Sequence, residues 1–413
     1  MSSPSRPIPR VVVTGMGAVT PAGPTAAATY ARVSEGRGCT GTDLTAPVTD
    51  FDPSTVLDPR EARRVDRVGQ FGLVAAAEAL GQAGLVNGDR PAALDPTRVA
   101  VVVGSGVGGL GTLEDGVATR VTRGSERVGP LLVPMMMPNA TAGLIALHHG
   151  FRGPALAVAT ACASGANSIG EGAALIRSGR ADVVVAGGAE AALTPTALAG
   201  FARMGALSRR THDPAGASRP FDRERDGFVM GEGAGIVVLE REDHARERGA
   251  AVLGEVAGYG ATCDAHHITS PDPSGAGAWA CMVTALTDAD LTPREVGHVN
   301  AHGTSTPAGD LAEATALVRL FGGPTPPVTS TKGVTGHLVG AAGAVEAIIA
   351  LLAARDGMVP PVANLHDPDV DDRTDLVRDS PRPVTSPVVL SNSFGFGGHN
   401  ASLVLVARPP GQR

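Results

Sequence analysis

Short valine-rich runs recur along the chain, and they constrain its fold more than any other feature. Each run is mostly apolar and is bounded by Gly, Ser or Asp, which is typical of strands buried on both faces of a sheet. Helix-like stretches separate the runs, and this alternation predicts an α/β fold. The runs occupy residues 10–14, 99–103, 182–186, 235–239 and 388–391.

The chain has 413 residues, of which 43% are hydrophobic. This length allows one large core or two fused ones, because single cores stop growing at roughly 250–300 residues. We expect two merged halves, residues 1–250 and 251–413, because residues 250–260 repeat the rhythm of the opening strand at 11–18. The 55 glycines and 3% aromatic residues predict tight turns and an interior filled by Ala and Val.

Charge and cysteine usage exclude several classes of protein. The formal net charge of −7 argues against a nucleic-acid-binding protein, which usually carries a basic balance. The four cysteines show no CxxC pair and no spacing typical of zinc sites or disulfides, so we expect a reducing compartment and no metal. Residues 1–10 lack the apolar core of a signal peptide, and the longest apolar stretches fall short of the roughly 20 residues that span a bilayer. The expected location is cytoplasmic, without a membrane segment.

Cys162 lies between a strand-like stretch and a helix start built of small residues, within 158–169. This position predicts a sulfur at the positive end of a helix dipole, where a thiolate is favoured. The small residues leave the sulfur accessible and let backbone N–H groups face a carbonyl, which outlines an oxyanion hole. A cysteine without this context is usually inert and buried, and that alternative stays open.

Two histidines stand in glycine-containing turns, His302 within residues 300–307 and His337 within 332–343. Two neutral imidazoles that direct N–H groups at one thioester oxygen can stabilise an enolate after CO2 leaves. Together with a thiolate that accepts an acyl group, they meet the needs of a thioester condensation. Both can instead be hydrogen-bonded turn residues without a catalytic role.

Polar residues near these histidines have candidate supporting roles. The hydroxyls of Thr304 and Thr306, two residues apart, suit hydrogen bonds to a pantetheine arm. Lys332 is a candidate for orienting His337, electrostatically or through water. Glu346, on a predicted helix, is a candidate for anchoring these polar residues and the histidines at the substrate site. The alternatives are threonines bonded to their own backbone and a solvated surface lysine.

Several segments together resemble the β-ketoacyl-[acyl-carrier-protein] synthases of the type II class, which are thiolase-like condensing enzymes. The resemblance covers nearly the whole chain. It rests on the nucleophile motif, two histidine motifs, a glycine-rich gating loop and a further family signature, at residues 160–165, 300–310, 330–337, 392–398 and 217–235 in that order. We interpret the last of these as structural.

The resemblance implies a thiolase fold, in which two pseudo-duplicated ααβαβ-type halves form a layered α-β-α-β-α core and two copies assemble as a homodimer. The first half would carry the nucleophile Cys162, and the second would carry His302 and His337. The resemblance also implies that the backbone N–H of Phe396 joins that of Cys162 in the oxyanion hole. Phe394 is implied to contact the substrate.

The implied activity is that of a 3-oxoacyl-[acyl-carrier-protein] synthase, an acyltransferase of fatty acid biosynthesis. Cys162 would take an acyl chain from acyl carrier protein, and a decarboxylative Claisen condensation with malonyl carrier protein would extend it by two carbons. No cofactor is expected beyond the phosphopantetheine arm of the carrier protein. Thiolases, initiating synthases and chain-length factors are disfavoured, because the chain has no cysteine after Cys281, has His337 instead of an asparagine, and keeps Cys162.

Two alternatives stay open. One is the ketosynthase subunit of a type II polyketide or polyene pathway, which needs a chain-length-factor partner. Reduced bulk in the acyl pocket favours it, since Val107 stands where isoleucine is common in the family, and Leu131 and Leu132 stand where phenylalanine is frequent. We therefore expect a wider or differently shaped pocket. The other alternative is a non-catalytic or inhibitor-tolerant member, which the intact cysteine and histidines oppose.

A basic stripe is predicted near residue 60. Arg60, Arg63, Arg64 and Arg67 are spaced i, i+3, i+4 and i+7, so on a single helix they would share one face. Because acyl carrier proteins are strongly acidic, this face is the candidate docking surface for the carrier protein. A solvated helix face without a partner is the alternative.

Overall fold

The computed structural model describes residues 8–49, 51–87, 90–91, 94–384 and 386–408. All five valine-rich runs contribute to strands, namely β1, β5, β7, β9 and β15 below, which confirms the α/β prediction. In chain order the strands are β1 (Val11–Val19), β2 (Thr45–Ala46), β3 (Val86–Asn87), β4 (Arg90–Pro91), β5 (Val99–Gly104), β6 (Ala155–Leu156), β7 (Val183–Glu190), β8 (Met230–Gly231), β9 (Gly233–Arg241), β10 (Gly254–Cys263), β11 (His298–Asn300), β12 (Val328–Thr329), β13 (Met358–Val359), β14 (Arg382–Pro383), β15 (Val388–Gly395) and β16 (His399–Ala407).

The main sheet repeats one topology in its two halves. It has ten strands in the order β12-β11-β15-β16-β10-β1-β9-β7-β5-β6. Along the chain, the main-sheet strands of the first half are β1, β5, β6, β7 and β9, and those of the second half are β10, β11, β12, β15 and β16. From the centre of the sheet to its edge, both halves have these strands in the order first, fifth, fourth, second and third. The pairings also match, since both halves have two antiparallel pairs followed by two parallel ones. The expected duplication is therefore present in the topology.

Helices cover the sheet in layers. Among them, α7 and α13 pack against each other and against strands of both halves, so they form the central layer. One outer layer holds α3 and α6, and the other holds α10 and α11, which gives the α-β-α-β-α order. In chain order the helices are α1 (Ala26–Ser34), α2 (Pro59–Ala62), α3 (Arg67–Gln82), α4 (Leu110–Arg123), α5 (Leu132–Met136), α6 (Ala140–His149), α7 (Ser164–Arg177), α8 (Pro195–Met204), α9 (Glu242–Glu247), α10 (Ala276–Asp288), α11 (Pro307–Phe321), α12 (Lys332–Thr335) and α13 (Ala342–Asp356).

Small residues let the two central helices meet at their N-terminal ends. A Cβ atom on Gly165 would lie 2.8 Å from the backbone nitrogen of Ala344, closer than real side chains approach. Glycine and alanine at these positions therefore permit backbone contact. The contact brings the turn that precedes α7 beside the turn that precedes α13, and these turns carry Cys162 and His337.

The halves meet where β1 pairs with β10 in antiparallel fashion, at Val12–Glu255 and Val13–Gly254. The division of the chain into residues 1–250 and 251–413 stays a prediction. Within the described ranges, no helix has the length and apolarity needed to cross a membrane.

Candidate active site

Cys162 lies in a strained turn that leads directly into α7. The turn is a 3-10 turn, Ala161–Ala163, and Ala161 has a φ of 50°. Positive φ is uncommon outside glycine and persists where surrounding contacts hold it. Ser164 provides such contacts, since its Oγ donates to Ala161 O at 2.7 Å and accepts the Thr160 N–H at 2.9 Å. The turn thus sets the sulfur at the N-terminal end of a buried helix, as the sequence predicts.

The structure brings both predicted histidines to this sulfur. His337 Nε2 lies 3.0 Å from Cys162 Sγ. The rings of His302 and His337 stand edge to face, with centroids 5.4 Å apart. The sulfur and one nitrogen of each ring lie within 4.8 Å of one another, and all three residues are buried. An acyl group on the sulfur would therefore be in reach of both imidazoles.

Backbone hydrogen bonds fix the two histidine turns. In the turn that follows β11, the N–H groups of His302 and Gly303 donate to the carboxylate of Glu313 at 2.9 and 2.8 Å. The His337 N–H donates to Val229 O at 2.7 Å. These bonds fix the main chain that carries each imidazole, and they form without a substrate.

Both imidazoles are neutral at pH 7. Burial lowers the pKa of His302 well below its usual value, and the charge of Lys332 and the neighbouring His337 lower it further. Burial followed by the charge of Lys332 also lowers the pKa of His337. A neutral imidazole keeps one N–H donor, as stabilisation of an enolate requires.

Lys332 contacts a different histidine from the one predicted. We expected it to orient His337, but its Nζ donates to His302 O at 2.5 Å and lies 3.4 Å from His302 Nδ1. Lys332 begins the short α12 and is fully buried, and its charge acts on His337 without a hydrogen bond to it. A donor at Nδ1 leaves the proton of neutral His302 on Nε2, the nitrogen available to a substrate oxygen.

Glu346 supports the site from behind and does not line it. Its buried carboxylate on α13 accepts a hydrogen bond from Lys332 Nζ, which confines it to the far side of the lysine from the cavity. The predicted anchoring from a helix is observed, whereas the predicted substrate contact is not. Burial raises the pKa of Glu346 to about 7, against the opposing effect of the Lys332 charge.

The glycine-rich loop after β15 closes over the sulfur. A Cβ atom on Gly395 would lie 3.1 Å from the Cys162 nitrogen, so the loop backbone approaches the nucleophile closely. Burial raises the Cys162 pKa, and the Phe396 N–H, which donates towards the sulfur, opposes part of that effect. The backbone N–H groups of Phe396 and Cys162 can therefore serve together as the oxyanion hole that the resemblance implies.

Burial favours the thiol form of the sulfur, contrary to the expectation of a favoured thiolate. Burial raises the pKa of Cys162 to about 11, because it outweighs the Lys332 charge and the Phe396 N–H that act in the other direction. The helix end alone does not offset removal of the sulfur from water. Deprotonation must then accompany attack, and His337 Nε2 is the nearest acceptor.

A cavity of about 390 Å³ opens beside Cys162. Val107, Thr304, Thr306 and Phe394 line it, as predicted. The Thr304 and Thr306 hydroxyls hydrogen-bond each other at 2.8 Å. The Phe394 ring stands against the His302 ring, with centroids 6.0 Å apart. Both threonines line the same cavity as Cys162, so a pantetheine arm bound there could reach their hydroxyls.

Leu132 does not line this cavity. It begins α5, which packs against α4, and its side chain covers Gly116 so closely that a Cβ atom there would lie 1.8 Å from Leu132 Cδ1. Leu132 is therefore not part of the cavity wall in a single chain, and its predicted contact with the acyl chain stays a prediction. The reduced bulk at Val107 does face the cavity.

Sequence reasoning missed aromatic residues and a buried carboxylate at the site. Phe228 packs edge-on against the His337 ring, with centroids 5.1 Å apart, and Phe201 lies against Phe228. Phe228 belongs to the 217–235 signature, which we interpreted as structural only. Glu190 lies beneath the cavity wall, and only its place at the end of a valine-rich strand could have indicated it.

The arginines near residue 60 do not form a single helical stripe. The first helix, α2, ends at Ala62, and α3 begins at Arg67 after Asp66 caps it. Arg67 is exposed as well, but it pairs with the Glu232 carboxylate at 2.6 Å and lies over the face of the Phe71 ring. The remaining three, Arg60, Arg63 and Arg64, are exposed on one short segment.

Comparisons with known proteins identify the family. The β-ketoacyl synthase N-terminal domain matches residues 9–245, and the C-terminal domain matches residues 253–366. A 3-oxoacyl-[acyl-carrier-protein] synthase 2 from Synechocystis sp. is 44% identical over 407 residues, covering 95% of this chain and 97% of that protein. The chain therefore belongs to the β-ketoacyl synthase family, which confirms the resemblance.

Solved structures of ketosynthases share the fold. The ishigamide ketosynthase/chain length factor superimposes with a TM-score of 0.87 at 33% identity, covering 97% of this chain and 99% of that one. A type II polyketide synthase ketosynthase, solved in complex with its acyl carrier protein and bound to a hexaketide, superimposes with a TM-score of 0.86 at 30% identity, covering 97% and 100% of the two chains. The thiolase-like architecture is thus shared with solved ketosynthases.

Proposed function

We propose that this chain is a 3-oxoacyl-[acyl-carrier-protein] synthase that extends acyl chains by two carbons in fatty acid biosynthesis. One observation carries the proposal. A buried sulfur, two neutral imidazole rings within 4.8 Å and the Phe396 N–H meet at the end of one cavity. The near full-length relative from Synechocystis sp., with its printed name of 3-oxoacyl-[acyl-carrier-protein] synthase 2, supports the same activity.

The first step is acyl transfer to Cys162. The sulfur attacks the thioester carbonyl of an acyl carrier protein while His337 Nε2 accepts the thiol proton at 3.0 Å. The Phe396 and Cys162 N–H groups stabilise the tetrahedral oxyanion. The proton then passes from His337 Nε2 to the departing pantetheine sulfur, so the products are acyl-Cys162, a free carrier-protein thiol and neutral His337.

The second step joins decarboxylation to carbon–carbon bond formation. Malonyl carrier protein loses CO2, and the electrons of the broken bond form an enolate. Its oxygen accepts hydrogen bonds from the N–H of His302 and from the N–H of His337 in its Nε2-protonated tautomer. The enolate carbon attacks the acyl carbon, and the Cys162 sulfur leaves as a thiolate that takes up a proton from solvent. The product is 3-oxoacyl carrier protein. No cofactor is proposed beyond the phosphopantetheine arm of the substrates.

The proposed docking surface for acyl carrier protein is the exposed segment that carries Arg60, Arg63 and Arg64. Among the described residues these side chains form no ion pair, so their charges are available to an acidic partner. The carrier-protein complex of a related ketosynthase supports this kind of partner. Arg67 is left out of the proposal because Glu232 already neutralises it.

A second copy of the chain is the proposed partner of an apolar face. This face comprises exposed side chains on neighbouring elements α4, α5, α6 and β6, including Val121, Val133, Leu147 and Leu156. Strand β6 is the edge of the ten-stranded sheet, and its side chains are exposed. An apolar sheet edge is a template for pairing with another chain, which favours a homodimer. The expected cytoplasmic location stays a prediction.

The polyketide ketosynthase is the second candidate, and it would pair this apolar face with a chain-length factor. Val107 supports it, since the smaller side chain faces the cavity. So does the likeness to the ishigamide ketosynthase/chain length factor. The relative from Synechocystis sp., at higher identity, favours the first candidate.

Mass spectrometry of carrier-protein products distinguishes the candidates. The purified protein alone is incubated with malonyl carrier protein and acyl carrier proteins of graded length, with Cys162→Ala as the control. Two-carbon extension by the single protein supports the fatty acid synthase and gives its chain preference. Acyl loading without extension supports the polyketide subunit, and loading by the Cys162→Ala control would contradict both.

A further inference from the structure

Glu190, the last residue of β7, is a buried carboxylate that the proposed reaction does not use. It is fully buried, and in the described part of the chain it forms no ion pair. It accepts hydrogen bonds from Ser105 Oγ at 3.0 Å, from the Gly106 N–H at 2.7 Å and from the Gly340 N–H at 3.0 Å. One side chain therefore joins the loop after β5 in one half to the turn before α13 in the other.

The two backbone segments are pressed together around this carboxylate. A Cβ atom on Gly340 would lie 2.3 Å from the Gly106 nitrogen, and one on Gly106 would lie 2.7 Å from Glu190 Oε2. Ser105 Oγ extends the contact, because it also accepts the Gly108 N–H at 2.9 Å. The loop after β5 is thus tied to Glu190 both directly and through Ser105.

The joined segments carry two walls of the cavity. Val107 follows Gly106, Val339 precedes Gly340, and both valines line the cavity. Val339 has a φ of 46°, which is rare for a β-branched residue and costs about 1–3 kcal/mol. Such a conformation needs surrounding contacts, and the bond from the Gly340 N–H to Glu190 is one of them.

His337 does not depend on this carboxylate. Its N–H donates to Val229 O at 2.7 Å, and its carbonyl accepts the Gly231 N–H at 2.9 Å. These bonds to the opposite segment would hold the imidazole if Val339 shifted. Loss of Glu190 should therefore move the valine walls and leave the catalytic histidine in place.

We infer that Glu190 is a positioning residue that holds the Val107 and Val339 walls of the acyl pocket and thereby sets how well long acyl chains load onto Cys162. This inference rests on the proposed function, since it presumes an acyl-enzyme. The role is one of hydrogen bonding. A glutamine can reproduce it, because its oxygen accepts from both N–H groups and its NH2 donates to Ser105 Oγ.

The test compares three activities in Glu190→Ala and Glu190→Gln. They are loading of dodecanoyl groups from carrier protein, loading of acetyl groups, and CO2 release from malonyl carrier protein in a Cys162→Gln background. For Glu190→Ala we expect kcat/KM of dodecanoyl loading to fall at least about tenfold, with the other two activities within about threefold of the parent protein. Glu190→Gln should restore dodecanoyl loading to within about threefold.

Glu78→Ala is the matched control. Glu78 is a half-buried carboxylate that accepts the Ala18 and Ala26 N–H groups at 2.9 and 3.0 Å, and it lies outside the cavity wall. The Glu78→Ala variant should leave the ratio of the three activities unchanged. If Glu190→Ala does not fold, Ser105→Ala replaces it under the same criteria, because it removes one bond of the carboxylate and keeps Glu190.

Several results would overturn the inference. These are unchanged dodecanoyl loading, an equal fall in all three activities, no rescue by glutamine, or the same selective loss in Glu78→Ala. A parent protein that neither loads acyl groups nor releases CO2 would instead contradict the proposed function. The two failures are therefore distinguishable.

Discussion

Cys162 and His337 lie just before equivalent helices in the two halves of the molecule. Helix α7 runs from β6 to β7 and α13 from β12 to β15, which are the third and fourth sheet strands of their halves. Each helix follows a 3-10 turn, Ala161–Ala163 in one half and Val339–Ala341 in the other. The repeated scaffold thus delivers two helix N-terminal ends, and their positive dipole ends, to one place.

The two turns are held in different ways. Side chains brace the nucleophile turn, through Ser164 and through the bond from Thr160 Oγ1 to Asn167 Oδ1 at 2.6 Å. Main-chain bonds to residues 229 and 231 brace the His337 turn. One half therefore supplies a sulfur and the other a proton acceptor, and equivalent geometry does not require equivalent residues. The comparison predicts that changes in the two turns impair acyl loading and decarboxylation to different extents.

Removing the nucleophile should give the largest effect. Cys162→Ala should abolish acyl loading, because the chain then lacks the sulfur that accepts the acyl group. Cys162→Gln should keep decarboxylation, since its amide resembles the acylated sulfur. Intact-protein mass and CO2 release measure the two steps. The fully buried Cys281 provides the matched control, and Cys281→Ala should load normally. Acyl loading by Cys162→Ala would contradict the assignment of Cys162 as the nucleophile.

Changing the histidines should separate the two steps. His302→Ala and His337→Ala should each lower decarboxylation by about 10²–10⁴-fold, the usual range for loss of a proton donor or acceptor. Only His337→Ala should also slow acyl loading strongly, because His337 Nε2 is the nitrogen 3.0 Å from the sulfur. Single-turnover loading and CO2 release check this difference. Equal effects on both steps in both variants would contradict it.

The pH dependence of thiol alkylation should reveal the buried sulfur. Below its pKa a thiol gains thiolate about tenfold per pH unit, so a Cys162 pKa of about 11 predicts a rise of about 100-fold between about pH 8 and pH 10. An ordinary thiol with a pKa near 8.5 would rise only about fourfold. Iodoacetamide labelling of Cys162, followed by peptide mass analysis, measures the rate. A plateau below about pH 9 would contradict the raised pKa.

Reversing charge on the docking surface should give the smallest effect. Arg63→Glu with Arg64→Glu should raise KM for acyl carrier protein about fivefold or more and leave kcat nearly unchanged, because the residues are exposed and distant from the sulfur. Arg294→Glu is the control, since Arg294 is exposed just before β11, at the opposite end of the strand from His302. Equal KM values in the two variants would remove the docking proposal.

Much of the fold could be predicted because its signals are local. Valine-rich runs bounded by breakers mark the central strands, and small residues after Cys162 mark the start of α7. The repeat was visible only as a similarity between residues 11–18 and 250–260, because the two halves share topology and little sequence. The central sulfur and imidazoles were identified because their motifs combine rare residue types with tight turns.

The remaining features depend on tertiary contacts that spacing does not encode. The arginine pattern fits one helix, yet Asp66 caps a new helix and turns Arg67 towards Glu232. Lys332 was predicted to support a histidine, but its hydrogen bond to His302 instead of His337 depends on a tertiary contact between residues 30 positions apart. The sequence indicated only that Glu190 ends a strand. Its positioning role depends on hydrogen bonds from Gly106 and Gly340, which are remote from it in sequence.

The pairing of β1 with β10 has a consequence for synthesis of the chain. Until the ribosome has made residues 254–263, the nascent first half exposes the edge of β1 at Val12 and Val13, in a nine-residue strand whose side chains are all buried in the finished protein. A long apolar edge without a partner is prone to intermolecular pairing. Chaperone occupancy should therefore peak while the ribosome is translating the first half and decline once β10 has emerged.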